Sequence, residues 1–278
     1  MENHSNNPLF KHFRQPAIYL KLPSQGRFYP EGTIELSVTN DIPIYPMTVK
    51  DEITLKTPDA LLNGAGMAEI VKSCCPSIKD PWVIPAVDLD AIFVAIRLAS
   101  YGQGMDITTT CPHCNETNEN TVNLTNILDN IKPADYTEPA TIDNLVFKFK
   151  PQSYKDINLM NIVTFEERKL VNNIMDSDID EAEKKRLFDI SFKKITDLNV
   201  DLLISCIESI TVDGNAVTDA DMIRDFLNNC SRQSYTAIKD KIQDLVNKNK
   251  LDDMNLTCSE CTKEYATALE FDQANFFE

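Results

Sequence analysis

The spacing of hydrophobic and polar positions divides the chain into extended and helical stretches. Six prolines recur through residues 1–46, too often for helices, so this stretch is predicted to be an extended N-terminal arm. Strand-like pieces lie within it at Ala17–Lys21 and Thr33–Val38. An arm of this composition is expected to pack on another surface, either of the same chain or of a neighbour.

Helical periodicity begins at Met47, and residues 47–104 are predicted to form a helical region. Thr48 is a predicted N-cap, and Met67–Cys75 is a predicted short helix that ends before a proline. Between them, Pro58 is typical of a helix start and Gly64 of a helix stop. Asp88 is predicted to cap a longer helix that ends at Tyr101. The apolar stripe of that longer helix consists of Ile92, Ala95, Ile96 and Ala99.

The period changes to the alternation of β-strands in two distant segments, residues 105–124 and residues 254–278. Each segment is predicted to be a strand, a Cys-x-x-Cys turn and a second strand. The intervening residues 125–253 are predicted to be a mostly helical insertion, with one β-hairpin signalled by Asp213-Gly214. The chain is therefore predicted to be an α+β protein that is mainly helical.

Composition and charge limit the partners. The 278 residues are 42% hydrophobic and 25% charged, and the formal net charge is −16. Such a surface repels phosphate backbones and anionic membranes, so nucleic acid is not an expected partner. No stretch approaches the roughly 18 apolar residues of a membrane span. No apolar signal segment is seen near Met1, so the eight cysteines are expected in a reducing cytoplasm, as metal ligands and buried thiols.

Two Cys-x-x-Cys pairs predict a metal site. A two-residue spacing lets a tight turn point both thiolates at one ion, and zinc takes four tetrahedral ligands. Cys111 and Cys114 provide half of such a site, and Cys258 and Cys261, with 143 residues between the two pairs, provide the other half. Four cysteines fill the coordination shell, which favours one structural zinc per chain in a zinc ribbon over a catalytic zinc. The other four cysteines, Cys74, Cys75, Cys206 and Cys230, are expected to be free thiols.

Two alternatives for the cysteine pairs stay open. Cys-Pro-His-Cys also occurs in thiol oxidases, so a thiol oxidoreductase using Cys111 and Cys114 is conceivable. That chemistry needs an apolar-patterned helix after the motif, whereas the polar run 115–120 follows here. A zinc-ribbon regulatory protein of a nucleic-acid machine is the second alternative. Its weakness is the acidic composition of the two turns, in which Lys263 is outnumbered by glutamates.

Residues for catalysis are scarce. The chain has three histidines, of which His4 and His12 lie in the arm and His113 lies in the first cysteine turn. No glycine-rich phosphate loop and no nucleophile elbow is found in the sequence. The chain is therefore not expected to be an enzyme.

Several short runs of the sequence share one resemblance. They are Tyr45–Glu52, Thr57–Gly64, Ser73–Pro76, Asp80–Trp82, Pro85, Asp88–Asp90, Ile96–Gly102, Cys111–Cys114, Cys258–Cys261 and Phe276–Phe277. Together these runs resemble the baseplate hub and hub-assembly proteins of T4-type contractile-tailed phages. The resemblance covers residues 45–125 and 254–278 and implies a non-enzymatic role in building the hub, with other baseplate hub or tail proteins as partners. It implies a location in the host cytoplasm during assembly, and it leaves open whether the chain stays in the virion tail baseplate.

A candidate interface lies in the arm. Arg27, Phe28 and Tyr29 combine aromatic rings with a guanidinium, a composition common in the centres of protein interfaces. The alternative is a surface strand that covers the chain's own core.

Overall fold

The structure is a computed structural model that describes residues 8–57, 64–177, 179–268 and 276. These residues form an α+β fold, as predicted, with eight α-helices and ten strands in the described ranges. Their buried hydrophobic side chains fall into two large clusters and one small one.

The arm contains two strands, β1 (Ile18–Lys21) and β2 (Asp41–Ile44), which pair antiparallel. The strand predicted at Thr33–Val38 is wrong, because that stretch forms only an isolated bridge between Ile34 and Ile78. The second strand instead includes Pro43, opposite Tyr19. A two-stranded sheet has only edge strands, so the missing proline N–H leaves no central ladder bond unmade.

The arm packs on its own chain. Leu20 and Ile42 from its strands are buried together with side chains of three helices, α1 (Val49–Leu55), α2 (Ala65–Cys74) and α3 (Ala86–Tyr101). Thr48 caps α1 as predicted, in a capping box with Asp51. Short 3-10 turns lie at Phe10–His12 and Pro81–Val83. Most of the helix predicted to start at Pro58 lies outside the described residues.

Asp88 does not cap α3, so that prediction is wrong. Pro85 is the N-cap, and Asp88 lies in the first turn of the helix with its side chain fully buried. Its carboxylate accepts hydrogen bonds from the Ser24 N–H (2.7 Å), the Ser24 hydroxyl (2.5 Å) and the Tyr29 hydroxyl (3.0 Å). Asp88 therefore holds the arm against α3.

Each of the two predicted cysteine segments forms a β-hairpin. Strands β3 (Gly104–Thr110) and β4 (Thr117–Asn123) pair antiparallel, and helix α4 (Leu124–Asp129) continues directly from β4. Leu124, expected to be in the strand, is thus the first residue of that helix. The last two strands, β9 (Met254–Thr257) and β10 (Glu264–Thr267), form the second hairpin.

The insertion between the hairpins has a sheet of its own. Strands β5 (Ala140–Ile142), β6 (Leu145–Phe149), β7 (Ile207–Val212) and β8 (Asn215–Val217) are antiparallel neighbours in that order. Phe147 and Phe149 from β6 are buried against helices α7 (Ala220–Asn229) and α8 (Arg232–Lys248). Ile207 lies in the insertion predicted to be mostly helical, but it begins β7.

A long helical pair interrupts that sheet between β6 and β7. Helix α5 (Tyr154–Met175) and helix α6 (Glu181–Ser205) pack along each other. None of the helices in the described ranges is both long enough and apolar enough to cross a membrane.

Candidate metal centre

The two cysteine turns have the same backbone geometry. In the first, the Cys111 N–H donates to the Glu116 carbonyl (2.9 Å) and the Asn115 N–H donates to the Cys111 carbonyl (2.9 Å). In the second, the Cys258 N–H donates to the Lys263 carbonyl (3.0 Å) and the Thr262 N–H to the Cys258 carbonyl (3.1 Å).

The residue after each second cysteine has a left-handed backbone. The φ angle is +59° at Asn115 and +58° at Thr262. Asparagine tolerates this region better than threonine, whose branched Cβ is crowded there. The short sequence repeat therefore corresponds to a repeated turn conformation.

The four predicted ligands come together. The sulfur atoms of Cys111, Cys114, Cys258 and Cys261 all lie within 4.8 Å of one another, and none of the four cysteines forms a disulfide. The Sγ atoms are 3.7 Å apart between Cys111 and Cys261, and 3.6 Å apart between Cys114 and Cys258.

These distances match a zinc site. Four sulfurs at about 2.3 Å from a tetrahedral ion lie about 3.8 Å from one another. The thiols thus have the chemistry, number and spacing that a four-coordinate zinc requires. Among the described residues, no other group of three or more metal-ligating side chains is found at such spacing.

Each turn has one buried and one more accessible cysteine. Cys111 and Cys258 are buried, whereas Cys114 is exposed and Cys261 is half-buried. Tyr265 is buried beside them and, with Leu256, closes a small apolar cluster. The site therefore lies near the surface, with an apolar wall on its inner side.

Hydrogen bonds also join the two hairpins directly. Asn118 is 3% exposed, and its side-chain oxygen accepts from the Ser259 N–H (2.7 Å) and the Ser259 hydroxyl (3.0 Å). Its side-chain nitrogen donates to the Glu116 carbonyl (3.0 Å). The Tyr265 hydroxyl lies 2.6 Å from the Thr109 hydroxyl.

Asn118 was not among the site residues predicted from the sequence. It lies four residues before Val122 in β4, and this even spacing puts both side chains on the inward face of the strand. A polar residue at an inward position needs a partner, and here that partner is the second cysteine turn.

The thiol pKa values fit a cluster that shares negative charge. Backbone N–H groups of Cys261 and Glu260, opposed in part by burial, lower the pKa of Cys258 to about 6. The Glu116 N–H lowers the pKa of Cys114, but burial and hydrogen bonds with the other three thiols raise it to about 12. One thiolate therefore forms readily, and the neighbouring protons must leave when a cation binds.

The three candidate interface residues contact their own chain. The Arg27 guanidinium donates to the Ala134 carbonyl (2.7 Å), and the Phe28 ring packs edge-on against Tyr136 at a centroid distance of 5.7 Å. Tyr29 donates to Asp88. These contacts tie the arm to residues 134–136, and a role of the three residues toward a partner stays a prediction.

The remaining cysteines lie outside the cluster. Cys74, Cys75 and Cys206 are buried and Cys230 is half-buried. Burial raises the pKa of Cys206 to about 12 and that of Cys74 to about 11, so both stay protonated at neutral pH.

A known protein family matches most of the chain. The family model described as "T4 bacteriophage base plate protein" matches residues 16–278, which includes the arm strands, both cysteine turns and the helical pair. No curated protein and no solved structure matches the chain significantly. Because the match spans most of the sequence, the chain belongs to the T4 bacteriophage base plate protein family.

Proposed function

We propose that this chain is a structural or assembly protein of the baseplate hub, which acts through contacts with other hub or tail proteins and not by catalysis. One zinc ion, bound by Cys111, Cys114, Cys258 and Cys261, stabilises it. It works in the host cytoplasm while the baseplate is built and is a component of the tail baseplate. The family match over residues 16–278 is the observation that carries this proposal.

The geometry of the cysteines supports a structural zinc. Four thiolates complete a tetrahedral shell, so no position is open for water or substrate. The sulfur separations of 3.6 and 3.7 Å agree with such a shell.

The position of the site supports a role for the metal as a clamp between the two hairpins. The two turns are far apart in sequence, and the helical pair and the four-stranded sheet lie between them in the chain. Zinc binding would fix the start and the end of this insertion at one point. Because the metal binds the folded hairpins and not the unfolded chain, its binding free energy adds to stability.

The hub role can be tested with phage that lacks this gene. Wild-type chain supplied from a plasmid should restore complete baseplates and should co-purify with other hub proteins. Cys258→Ser should restore fewer, because one zinc ligand is lost. Cys230→Ser is the matched control, since Cys230 lies outside the cluster, and it should restore assembly fully.

Three results would contradict the proposal. The first is a normal yield of baseplates without this chain, and the second is a chain that co-purifies with no tail protein. The third is binding of the purified chain to DNA at near-physiological salt, which would favour the nucleic-acid alternative.

A further inference from the structure

A cleft lies where the insertion joins the rest of the chain. Its volume is about 720 Å³, and it is bordered by α3, by α4 and the residues after it, by the start of α5 and by the stretch between α8 and β9. Clefts of about 300–1,000 Å³ bury ligands of drug size. This cleft therefore has room for a few side chains of a peptide and not for a folded domain.

The inner walls of the cleft are largely apolar. On α3, Val87, Asp90 and Phe93 are three residues apart, so they share the helix face that borders the cleft. Ile127 on α4 and Ile157 on α5 border it from other sides. Phe93 is buried, whereas the other three apolar side chains are half-buried. A ligand in the cleft would therefore remove apolar surface from water.

Asp90 is the one charged residue that α3 contributes to the cleft. It is half-buried, and its carboxylate makes no hydrogen bond or ion pair within the described ranges. Burial raises the pKa of Asp90 to about 6, although attraction to the exposed Lys250 lowers it, so Lys250 does not make up for the lost water. A carboxylate that loses water without gaining a partner is unfavourable. The inner part of the cleft thus lacks a positive charge.

The other two lysines of the cleft pair with carboxylates elsewhere. Lys132 pairs with Asp252 (2.8 Å), and Lys248 pairs with Asp135 (2.6 Å). No lysine and no arginine occurs in the stretches outside the described ranges, which are 1–7, 58–63, 178, 269–275 and 277–278. The counter-charge for Asp90 is therefore expected from another molecule.

The rim of the cleft offers hydrogen bonds suited to a peptide backbone. Asn126, Asn161 and Asn255 border the cleft and are exposed, and their side-chain amides make no hydrogen bond within the part of the chain that the structure describes. A side-chain amide both donates and accepts, as each peptide unit does. Apolar walls with a few polar groups around them are typical of sites that bind a ligand.

We propose that this cleft binds an extended segment of another hub or tail protein, with one lysine or arginine of that segment directed at Asp90. The apolar stem of such a side chain lies along the apolar walls while its charged end reaches the carboxylate. The net charge of −16 attracts a basic segment to this chain. The inference rests on the proposed function, since it takes the partner from among the hub and tail proteins.

An array of overlapping peptides that covers the phage's hub and tail proteins, probed with the purified full chain, tests this inference. We expect binding to a small set of peptides that each contain a lysine or an arginine. Replacement of that residue by norleucine in the peptide should weaken binding at least about tenfold. Asp90→Asn in the chain should do the same, because each change removes one charge of a desolvated pair.

The matched control is Asp253→Asn. Asp253 is exposed at the rim of the same cleft, so its substitution removes an equal charge from the chain and should leave peptide binding unchanged. Both variants should retain the wild-type circular dichroism spectrum. Bound peptides without a basic residue, or an array without any bound peptide, would overturn the inference. Binding by Asp90→Asn equal to that of wild type, or weakened no more than that of Asp253→Asn, would overturn it as well.

The inference and the proposed function can fail separately. In phage that lacks this gene, Asp90→Asn should restore fewer complete baseplates than wild type, and Asp253→Asn should restore as many. If Asp90→Asn restores as many as wild type, the inference fails and the proposed function stands. Complete baseplates without this chain would contradict the proposed function itself.

Discussion

Asn118 is the residue that joins the two cysteine hairpins most directly. Its substitution by alanine leaves the Ser259 N–H and hydroxyl without their acceptor. We expect Asn118→Ala to lower the free energy of unfolding by about 1–3 kcal/mol and to speed the loss of metal. Urea denaturation and zinc release to a chromogenic chelator measure the two effects.

The matched control is Thr121→Ala. The Thr121 hydroxyl donates to the Asp106 carboxylate, within the first hairpin. It should have a smaller effect on stability and none on metal release. Equal effects of the two substitutions would show that the link between the hairpins is unimportant.

The Asp90 carboxylate destabilises the folded chain at neutral pH. It is half-buried beside α4 and residues 249–256, and its carboxylate makes no hydrogen bond or ion pair within the described ranges. Burial raises the pKa of Asp90 to about 6, although attraction to Lys250 lowers it. The folded chain thus holds this proton more tightly than the unfolded chain, and stability falls as the pH rises from about 4 to about 6.

Asp90→Asn removes this pH dependence. The variant should be more stable than wild type at neutral pH, by about 1 kcal/mol after allowance for partial exposure, and equally stable near pH 4. Thermal melts at the two pH values measure the difference. Asp88, whose pKa burial also raises to about 6, contributes a slope of the same sign that remains in the variant. A variant less stable than wild type at neutral pH would contradict the assignment.

The turn between β7 and β8 depends on one glycine. Val212 pairs with Asn215, so Asp213 and Gly214 form a two-residue turn, and Gly214 has a φ of +82°. Gly214→Ala should cost about 1 kcal/mol because alanine is strained in that region. In Gly104→Ala, the matched control, the new Cβ would meet Thr121 at an ordinary 3.5 Å, so the change should be near neutral. Chemical denaturation of both variants measures the contrast.

Elements with strong local signals were predictable from the sequence. The Asp213-Gly214 turn, the Thr48 cap and the alternation around the cysteine turns all depend on neighbours within a few residues. The errors involve distant partners. Asp88 is a residue type common at helix N-caps, yet it accepts hydrogen bonds from Ser24 and Tyr29 of the arm. Pro43 is tolerated because β2 is an edge strand, paired with β1 in a two-stranded sheet.

In the metal centre, too, the local features were predictable and the contacts between distant residues were not. The Cys-x-x-Cys spacing predicted which thiols would meet, because each turn supplies its own pair of ligands. Asn118 and Tyr265 could not be assigned, since their roles depend on how the two hairpins approach each other. That approach is set by contacts between residues about 150 positions apart in the chain.

The proposed zinc links the two ends of the insertion. Chelation of the metal should therefore raise amide hydrogen exchange in β3, β4, β9 and β10 first. Helix α3 should keep its protection, because its buried residues belong to the first core and not to the cysteine cluster. Hydrogen-exchange mass spectrometry with and without chelator measures this. Uniform loss of protection throughout the chain, or no change in the hairpins, would contradict the clamp.

We propose that four cysteines from two distant hairpins hold one zinc ion within a baseplate protein. X-ray absorption at the zinc edge of the purified full chain is the decisive measurement of this site. We expect one zinc per chain with four sulfur neighbours at about 2.3 Å. A chain without zinc, or a zinc shell with nitrogen or oxygen in place of sulfur, would show that the four cysteines do not hold this ion.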